Sequence, residues 1–330
     1  MSRKVTDEEF REAWLACNGR ALEVSRMLGF TSPRGVYERR NSVEQRHGWK
    51  LPSAGDGNGH HRGDAGQAPY NYNPRLPIEG YTGSVVVFSD AHWWPGLTHT
   101  LAYRALVEVV KEVKPGVVIA NGDILDGARI SRFGRSDWQY QPRMVEELEA
   151  VRDCCAEIRH AYRKARHIRT IGNHCARFDK YLANHAADFD GIGGFRLAEH
   201  LPEWEETWAV WLNGNTVLKH RWHGGVHAAW NNVMKSGMSM VTGHTHTLLC
   251  RPFMDYRGRR YGIECGTLAE PGGPQFSYAE DNPGQGCSGF VVLTYDKSGR
   301  LLSPELCEVV DGAAYFRGQV VVSDRKKRAA

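Results

Sequence analysis

Five short apolar runs in this chain each end in side chains that bind metals, and that repetition constrains the fold more than any other feature. Ser84 to Phe88 runs into Asp90 and His92, and Val117 to Ala120 into Gly122-Asp123. His167 to Ile171 is followed by Gly172-Asn173-His174, Thr216 to Trp222 by His223-Gly224, and Met238 to Thr242 by Gly243-His244-Thr245-His246. β-rich runs that stop at Gly-flanked polar residues are what strands of an open α/β sheet look like when their carboxyl ends line a site. Seven of these eight metal-capable side chains, brought to one edge, would build a metal centre, and one with room for two ions.

The rest of the chain sets the frame. At 330 residues it can hold one large domain plus something small. A hydrophobic content of 41% with 24% charged residues is that of a globular protein, which sets aside a disordered chain. No apolar stretch approaches the roughly 20 residues of a membrane span, and the first residues carry no apolar signal-peptide core. The expectation is a cytoplasmic protein with no membrane partner. The eight cysteines show no paired C-x-x-C spacing, so buried free thiols are expected rather than disulfides or a cysteine zinc site.

Charge is unevenly spread. Residues 1–50 hold ten Lys/Arg against seven Asp/Glu and residues 323–330 hold four against one, so each end is +3 within a total of +4. The middle is therefore about −2 (4 − 3 − 3), and affinity for nucleic acid would come mainly from the two ends.

Residues 6–47 read as three short helices. Thr6 to Glu9 fits a capping box, Gly19 and Gly29 are stops, and Ser32-Pro33 is an N-cap with a first-turn proline. Two helices joined by a Gly-containing turn resemble a helix-turn-helix, with Arg34, Arg39, Arg40, Asn41 and Gln45 as the polar face of the second. The alternative is a small bundle with a solvated basic face. The expected organisation is a helix-turn-helix-like domain over 1–50, a flexible Gly/Pro/Asn/His linker over 51–80, a catalytic domain over 81–322 and a basic tail over 323–330. His60-His61 fall in that linker and read as solvated. Within 81–322, helices are expected near 98–114 and 141–165, a hairpin around Asn213-Gly214-Asn215, and further strands near 261–265 and 289–295.

Singly, each motif is an ordinary turn; jointly, D-x-H, G-D-x-x-D, G-N-H, H-G and G-H-x-H in that order resemble the calcineurin-like metallophosphoesterase superfamily, over about residues 83–296. The resemblance implies an α/β fold, a four-layer α/β/β/α sandwich of two facing mixed sheets, and a dinuclear centre. Carried over residue by residue, Asp90, His92, Asp123 and His246 would hold one ion. Asp123, Asn173, His223 and His244 would hold the second, with His174 as general acid. His223 is chosen over His220 because it directly precedes Gly224, while strand alternation would send His220 to the opposite face. Mixed imidazole and carboxylate ligands suit manganese first, with iron, zinc or nickel as alternatives. Two divalent ions against two carboxylates leave a site of about +2, which suits a phosphate ester. Coordination lowers the pKa of bound water toward about 7, so that metal-bound hydroxide is the nucleophile.

Around this core, Asp126 could orient a ligand histidine or serve as a helix N-cap. Arg177 could touch substrate phosphate or pair on the surface. Trp93 and Trp94 could stack on a base or close an apolar flank, and the segment from Gly266 through Tyr278 to Phe290 could wall the substrate. Cys175 stands where the superfamily often has an acid that orients the histidine. The basic head tilts the expectation to a DNA phosphodiesterase or nuclease, similar to repair nucleases and of phage or prophage type. The alternatives are a nucleotide or small-molecule phosphoesterase, or a protein phosphatase, with an oligomerising head, and a DNA-binding adaptor with a catalytically weak metal domain.

Overall fold

The computed structural model describes residues 5–30, 32–52, 75–97, 99–133, 138, 140–279 and 286–324. The chain divides into two compact units, Met1–Tyr72 and Asn73–Ala330.

In the first unit α1 (Asp7–Ala16), α2 (Ala21–Leu28) and α3 (Pro33–His47) form where the caps place them. Thr6 and Glu9 close the capping box with reciprocal bonds of 2.9 and 3.2 Å, and Gly29 and Gly48 end α2 and α3 in the left-handed conformation. Phe10, Trp14, Val24, Val36 and Val43 are fully buried in one small core, which also takes in Leu51. The compact part therefore reaches past residue 50. The His60-His61 pair and the linker as far as residue 74 lie outside the described residues, as do tail residues 325–330.

The second unit opens with β1 (Leu76–Ile78), β2 (Gly83–Phe88), α4 (Leu101–Val113) and β3 (Val117–Ala120), followed by α5 (Met144–Ala161) and β4 (Arg166–Thr170). Then come α6 (Cys175–His185), β5 (Glu205–Thr207), β6 (Val210–Leu212), β7 (Thr216–Leu218), α7 (Ala228–Ser236), β8 (Ser239–Thr242), β9 (Leu248–Asp255) and β10 (Gly258–Cys265). The remaining strands are β11 (Gly289–Tyr295), β12 (Glu305–Val310), β13 (Ala313–Phe316) and β14 (Gln319–Ser323). They form two mixed sheets, ordered β14-β13-β12-β11-β2-β3-β4-β5 and β1-β6-β7-β8-β10-β9. β1 lies within the stretch read from composition as linker. Its Leu76 amide bonds Ala209 O at 2.8 Å and its Ile78 carbonyl accepts from Asn213 N at 2.9 Å, so two apolar residues suffice to seat it beside β6.

Side-chain alternation builds the layers. Val85 and Val87 of β2, with Val117, Ile119 and Ile168, meet Val210, Leu218, Val241 and Ile263 of the other sheet. Val86 and Phe88, one residue out of phase, meet Leu106, Val109, Val151 and Ile158 of α4 and α5. α7 covers the six-stranded sheet so closely that a Cβ on Gly262 would lie 2.0 Å from Ala229 O. The order is helix, sheet, sheet, helix. The expected hairpin is present, with Asn213 and Gly214 both at positive φ as a primed turn requires. Its second strand stops at Leu218, four residues short of the expected end.

All eight cysteines are free; Cys287 is exposed and Cys250 half-buried, so burial does not extend to every thiol. Among the described residues no helix is long and apolar enough to cross a membrane.

Candidate metal centre

β2, β3 and β4 run parallel in one sheet and β7 and β8 run parallel in the other. Their carboxyl ends therefore deliver five loops to a common edge. The β2 and β3 loops are laced together by Asp90 N to Gly122 O (3.1 Å) and His92 N to Asp123 O (3.0 Å). The two sheets are joined where Asn121 Nδ2 donates to Lys219 O (3.2 Å) and Asp90 Oδ2 accepts from His244 N (2.9 Å). Two glycines make this closeness possible. A Cβ on Gly172 would fall 2.0 Å from Asp123 Oδ1, and one on Gly243 2.6 Å from Asp90 Oδ2.

Ten non-glycine residues among those described have positive φ, and five of them are Asp90, His92, Asp123, His244 and His246. Such conformations cost about 1–2 kcal/mol each and persist where the surroundings impose them. Strain concentrated on the metal-capable residues marks them as placed for something other than stability.

Asp90, His92 and His246 gather their ligand atoms into one group, and Asp123, His220 and His244 into another. His246 Nε2 lies 3.2 Å from Asp90 Oδ1, and His220 Nε2 lies 2.9 Å from Asp123 Oδ2 and 4.0 Å from Asp90 Oδ1. Each buried imidazole is held by its other nitrogen: His92 Nδ1 donates to Asp126 Oδ1 (3.0 Å) and His220 Nδ1 to Asn121 O (2.9 Å). That fixes the tautomer and aims Nε2 inward. Asp90 Oδ1, His92 Nε2, His220 Nε2 and Asn173 Oδ1 are all buried and none completes a well-formed hydrogen bond, the approaches of His220 to Asp123 and of His246 to Asp90 being close charge contacts. One such orphan costs about 1–3 kcal/mol, and four converging here are what a cation-binding site presents. Burial opposes charge on Asp123 and His92, but His220 outweighs it for the carboxyl, held down to about 2, and Asp126 and Asp90 for the imidazole, raised to about 10. The residues fit divalent ions, and the nitrogen-rich donor set suits a transition metal.

His223 does not join this constellation; His220 does. The alternation that would turn His220 away holds only while the strand continues, and β7 ends at Leu218. Beyond it the chain turns inward, burying His220 to 1% exposure. The backbone of His223 is instead bracketed by Asn232, with bonds of 3.0 and 3.2 Å. The signal available in the sequence was the polar Lys219, which marks the end of the apolar run.

His174 opens α6 beside the two groups. Its Nδ1 donates to the Asp126 carboxylate and carbonyl, both at 3.0 Å, and its Nε2 accepts from Arg177 (3.2 Å). Its backbone amide donates to Asp123 Oδ1 (2.8 Å). Asp126 thus bonds both His92 and His174 and caps no helix; the residue at that position is Gly127. Glu147 Oε2 accepts from Gly127 N (2.7 Å) and fixes the loop. Cys175 is buried, its thiol pushed up to about 11 by burial, while Asp126 supplies the carboxylate that position 175 lacks.

Trp93 is buried against Phe88 and Tyr103 in the core under α4 rather than at the mouth, and Trp94 is half-buried. The segment from Gly266 to Phe290 does reach the site, since Phe276 packs on the rings of His92 and His246 at 5.5 and 5.2 Å. The Tyr278 side chain and residues 280–285 lie outside the described residues. In the first unit, Arg39 bonds Val5 O and Asp7, and Arg40 pairs with Glu44 and bonds Leu51 O. Both are engaged within their own unit. Arg34, Asn41 and Gln45 are exposed, Arg34 paired with Glu38.

The molecule thus contains a two-sheet α/β unit with a buried His/Asp constellation suited to divalent metal. Among sequences, the Gene 54 proteins of Mycobacterium phages L5 and D29 are each 25% identical over 244 residues, covering 66% of this chain and 91% of theirs. No family model matches. Among solved structures, zinc-complexed Vps29 from Entamoeba histolytica overlaps 72% of this chain and 99% of its own, at 17% identity and a TM-score of 0.39. A novel archaeal phosphodiesterase overlaps 68% and 99% (14%, 0.35), and the phosphoesterase Yfce from E. coli 67% and 97% (14%, 0.33). Overlaps this loose carry no inference about activity.

Proposed function

We propose that the unit Asn73–Ala330 is a dinuclear metal-dependent phosphoester hydrolase acting on phosphodiesters. The observation that carries this reading is the convergence of four buried ligand atoms without a well-formed hydrogen bond, from Asp90, His92, Asn173 and His220, beside a histidine, His174, that is held by the Asp126 carboxylate. Asp90, His92 and His246 would hold one ion and Asn173, His220 and His244 the other, with Asp123 between them; His220 takes the place that sequence spacing assigned to His223. Bound divalent ions would supply a nucleophile available at neutral pH and charge to offset the developing negative charge of an in-line displacement. His174 would deliver a proton from Nε2 to the leaving oxygen once Arg177, which donates to that atom in this structure, turns to the substrate, and Asp126, bonded at Nδ1, keeps the imidazole oriented. Arg177, 3.2 Å from His174 Nε2, is placed to bind a phosphate oxygen in exchange for that contact.

Manganese-loaded protein is expected to hydrolyse bis(4-nitrophenyl) phosphate, and Asp123→Asn to lose at least a hundredfold in kcat/KM. Wild-type protein shown to contain metal, yet without turnover on diesters or monoesters, would end this reading. Arg39 and Arg40 are used inside the first unit while Arg34, Asn41 and Gln45 are exposed there, so support for nucleic acid as the substrate is sought on the surface around the metal residues as well.

A further inference from the structure

A cavity of about 500 Å³ begins at Asn173 and runs along α6. One wall is a single helix face: Arg177, Lys180, Tyr181, Asn184 and His185 recur at the three- and four-residue spacing that aligns side chains. Arg221 and, across the cleft, Arg132 and Phe133 complete it, together with Ser131 and Ile130. The lining holds four cationic side chains and no carboxylate. Among the described residues, Lys180, Arg221 and Arg132 have no ion-pair partner. Such a concentration is notable in a chain of net charge +4.

Aromatic surface is exposed in the same place. The Tyr181 ring is 40% exposed and stacked on His185, with centroids 4.2 Å apart and planes at 21°. Phe133 is 66% exposed on the facing wall, with the Arg132 guanidinium 4.8 Å from its ring centre. A second depression of about 480 Å³ reaches the metal residues from His244 and differs in kind: it holds no cation and is floored by the buried carboxylate of Glu264. Of these two depressions, the one on the Asn173 side carries the cationic side chains.

We propose that this cleft binds a single-stranded segment of nucleic acid flanking the scissile phosphodiester, its phosphates on Lys180 and Arg221 and a base on the Tyr181–His185 pair. The inference rests on the phosphodiesterase reading above. Cations that track a backbone, interleaved with flat aromatic faces, are the elements of single-strand recognition, and a paired base would have no free face to offer. The volume suits roughly one nucleotide unit.

The test uses the full chain and fluorescein-labelled hexathymidylate and hexauridylate. With chelator present, to prevent cleavage, anisotropy should show that Lys180→Ala/Arg221→Ala reduces the slope of log Kd against log salt by about 1.4, or about 0.7 per lost phosphate contact. Tyr181→Ala should weaken binding about tenfold. With manganese, the ratio of kcat/KM for hexathymidylate to that for bis(4-nitrophenyl) phosphate should fall at least tenfold in the double variant. Preference between the two oligomers assigns DNA or RNA, and either result supports the proposal. Unmoved slope and ratio in variants that melt like wild type would overturn it while leaving the phosphodiesterase reading intact. A phosphoserine peptide bound more tightly than either oligomer would also overturn it. If wild type hydrolyses neither ester, the phosphodiesterase reading fails first and this proposal with it.

Discussion

His220 and His223 differ by three positions and are both histidines near the end of one apolar run, yet the structure gives them opposite environments. His220 is buried with Nδ1 tied to Asn121 O and Nε2 2.9 Å from Asp123 Oδ2, whereas His223 is half-exposed. Metal analysis should therefore show His220→Ala losing about one ion per chain and at least a hundredfold in diesterase activity, with His223→Ala retaining both; the reverse pattern would restore the spacing-based choice. Asp126 acts through the imidazoles it bonds. Asp126→Asn should lower kcat about 10–100-fold with metal content retained, the usual cost of losing such a partner, and should alter the pH profile by weakening the hold on His174. A kcat loss with an unchanged pH profile would reduce Asp126 to a structural role.

At the level of elements, the loops after β3, β4 and β8 work because glycines let them touch. Gly172→Ala would drive a Cβ to 2.5 Å from the Asp123 amide nitrogen, which is backbone and cannot swing away. The expected cost is about 1–3 kcal/mol in denaturant melts, with loss of metal uptake. Strand β4 carries a second testable feature. His167 lies buried against Trp204 at 5.1 Å, and burial, helped by Arg159, lowers its pKa to about 4. The fold accepts only the neutral ring, so its full contribution is present above about pH 6.5 and is lost as the pH falls through about 4. In chelator, where metal ligation plays no part, His167→Leu should remove about 3 kcal/mol of acid sensitivity between pH 6.5 and 4, by the linkage of about 1.4 kcal/mol per pKa unit. Parallel pH–stability curves for the two proteins would count against that assignment.

For the whole molecule, the two compact units make separate predictions. Ligands that bind only the folded state stabilise it by mass action, about 2.7 kcal/mol at a hundredfold excess over Kd. Manganese should therefore raise the melting temperature of the Asn73–Ala330 unit by about 5–10 °C, reversibly with chelator, while the transition of Met1–Tyr72 stays where it is. A shift in both transitions, or in neither, would contradict a metal centre confined to the larger unit.

Much of this protein could be read from its sequence because the signals were local. Alternating valines declare strands, Thr6 with Glu9 and Ser32 with Pro33 declare helix starts, and Asn213-Gly214 declares a primed turn. The metal-capable residues were visible because each sits at the end of a strand, where chemistry in parallel sheets collects. Tertiary structure decided what depends on distant partners. β1 exists because Ala209 O accepts from its Leu76 amide and Asn213 N donates to its Ile78 carbonyl. His220 displaces His223 because β7 stops where its pairing with β8 ends, at Leu218. Trp93 enters the core because Phe88 and Tyr103 flank it. Arg39 is engaged because Asp7, on another helix, is there to meet it. Periodicity and capping are properties of a few consecutive residues. Where a strand ends, which histidine faces the metal site and which arginine remains available are set by groups tens to hundreds of positions away.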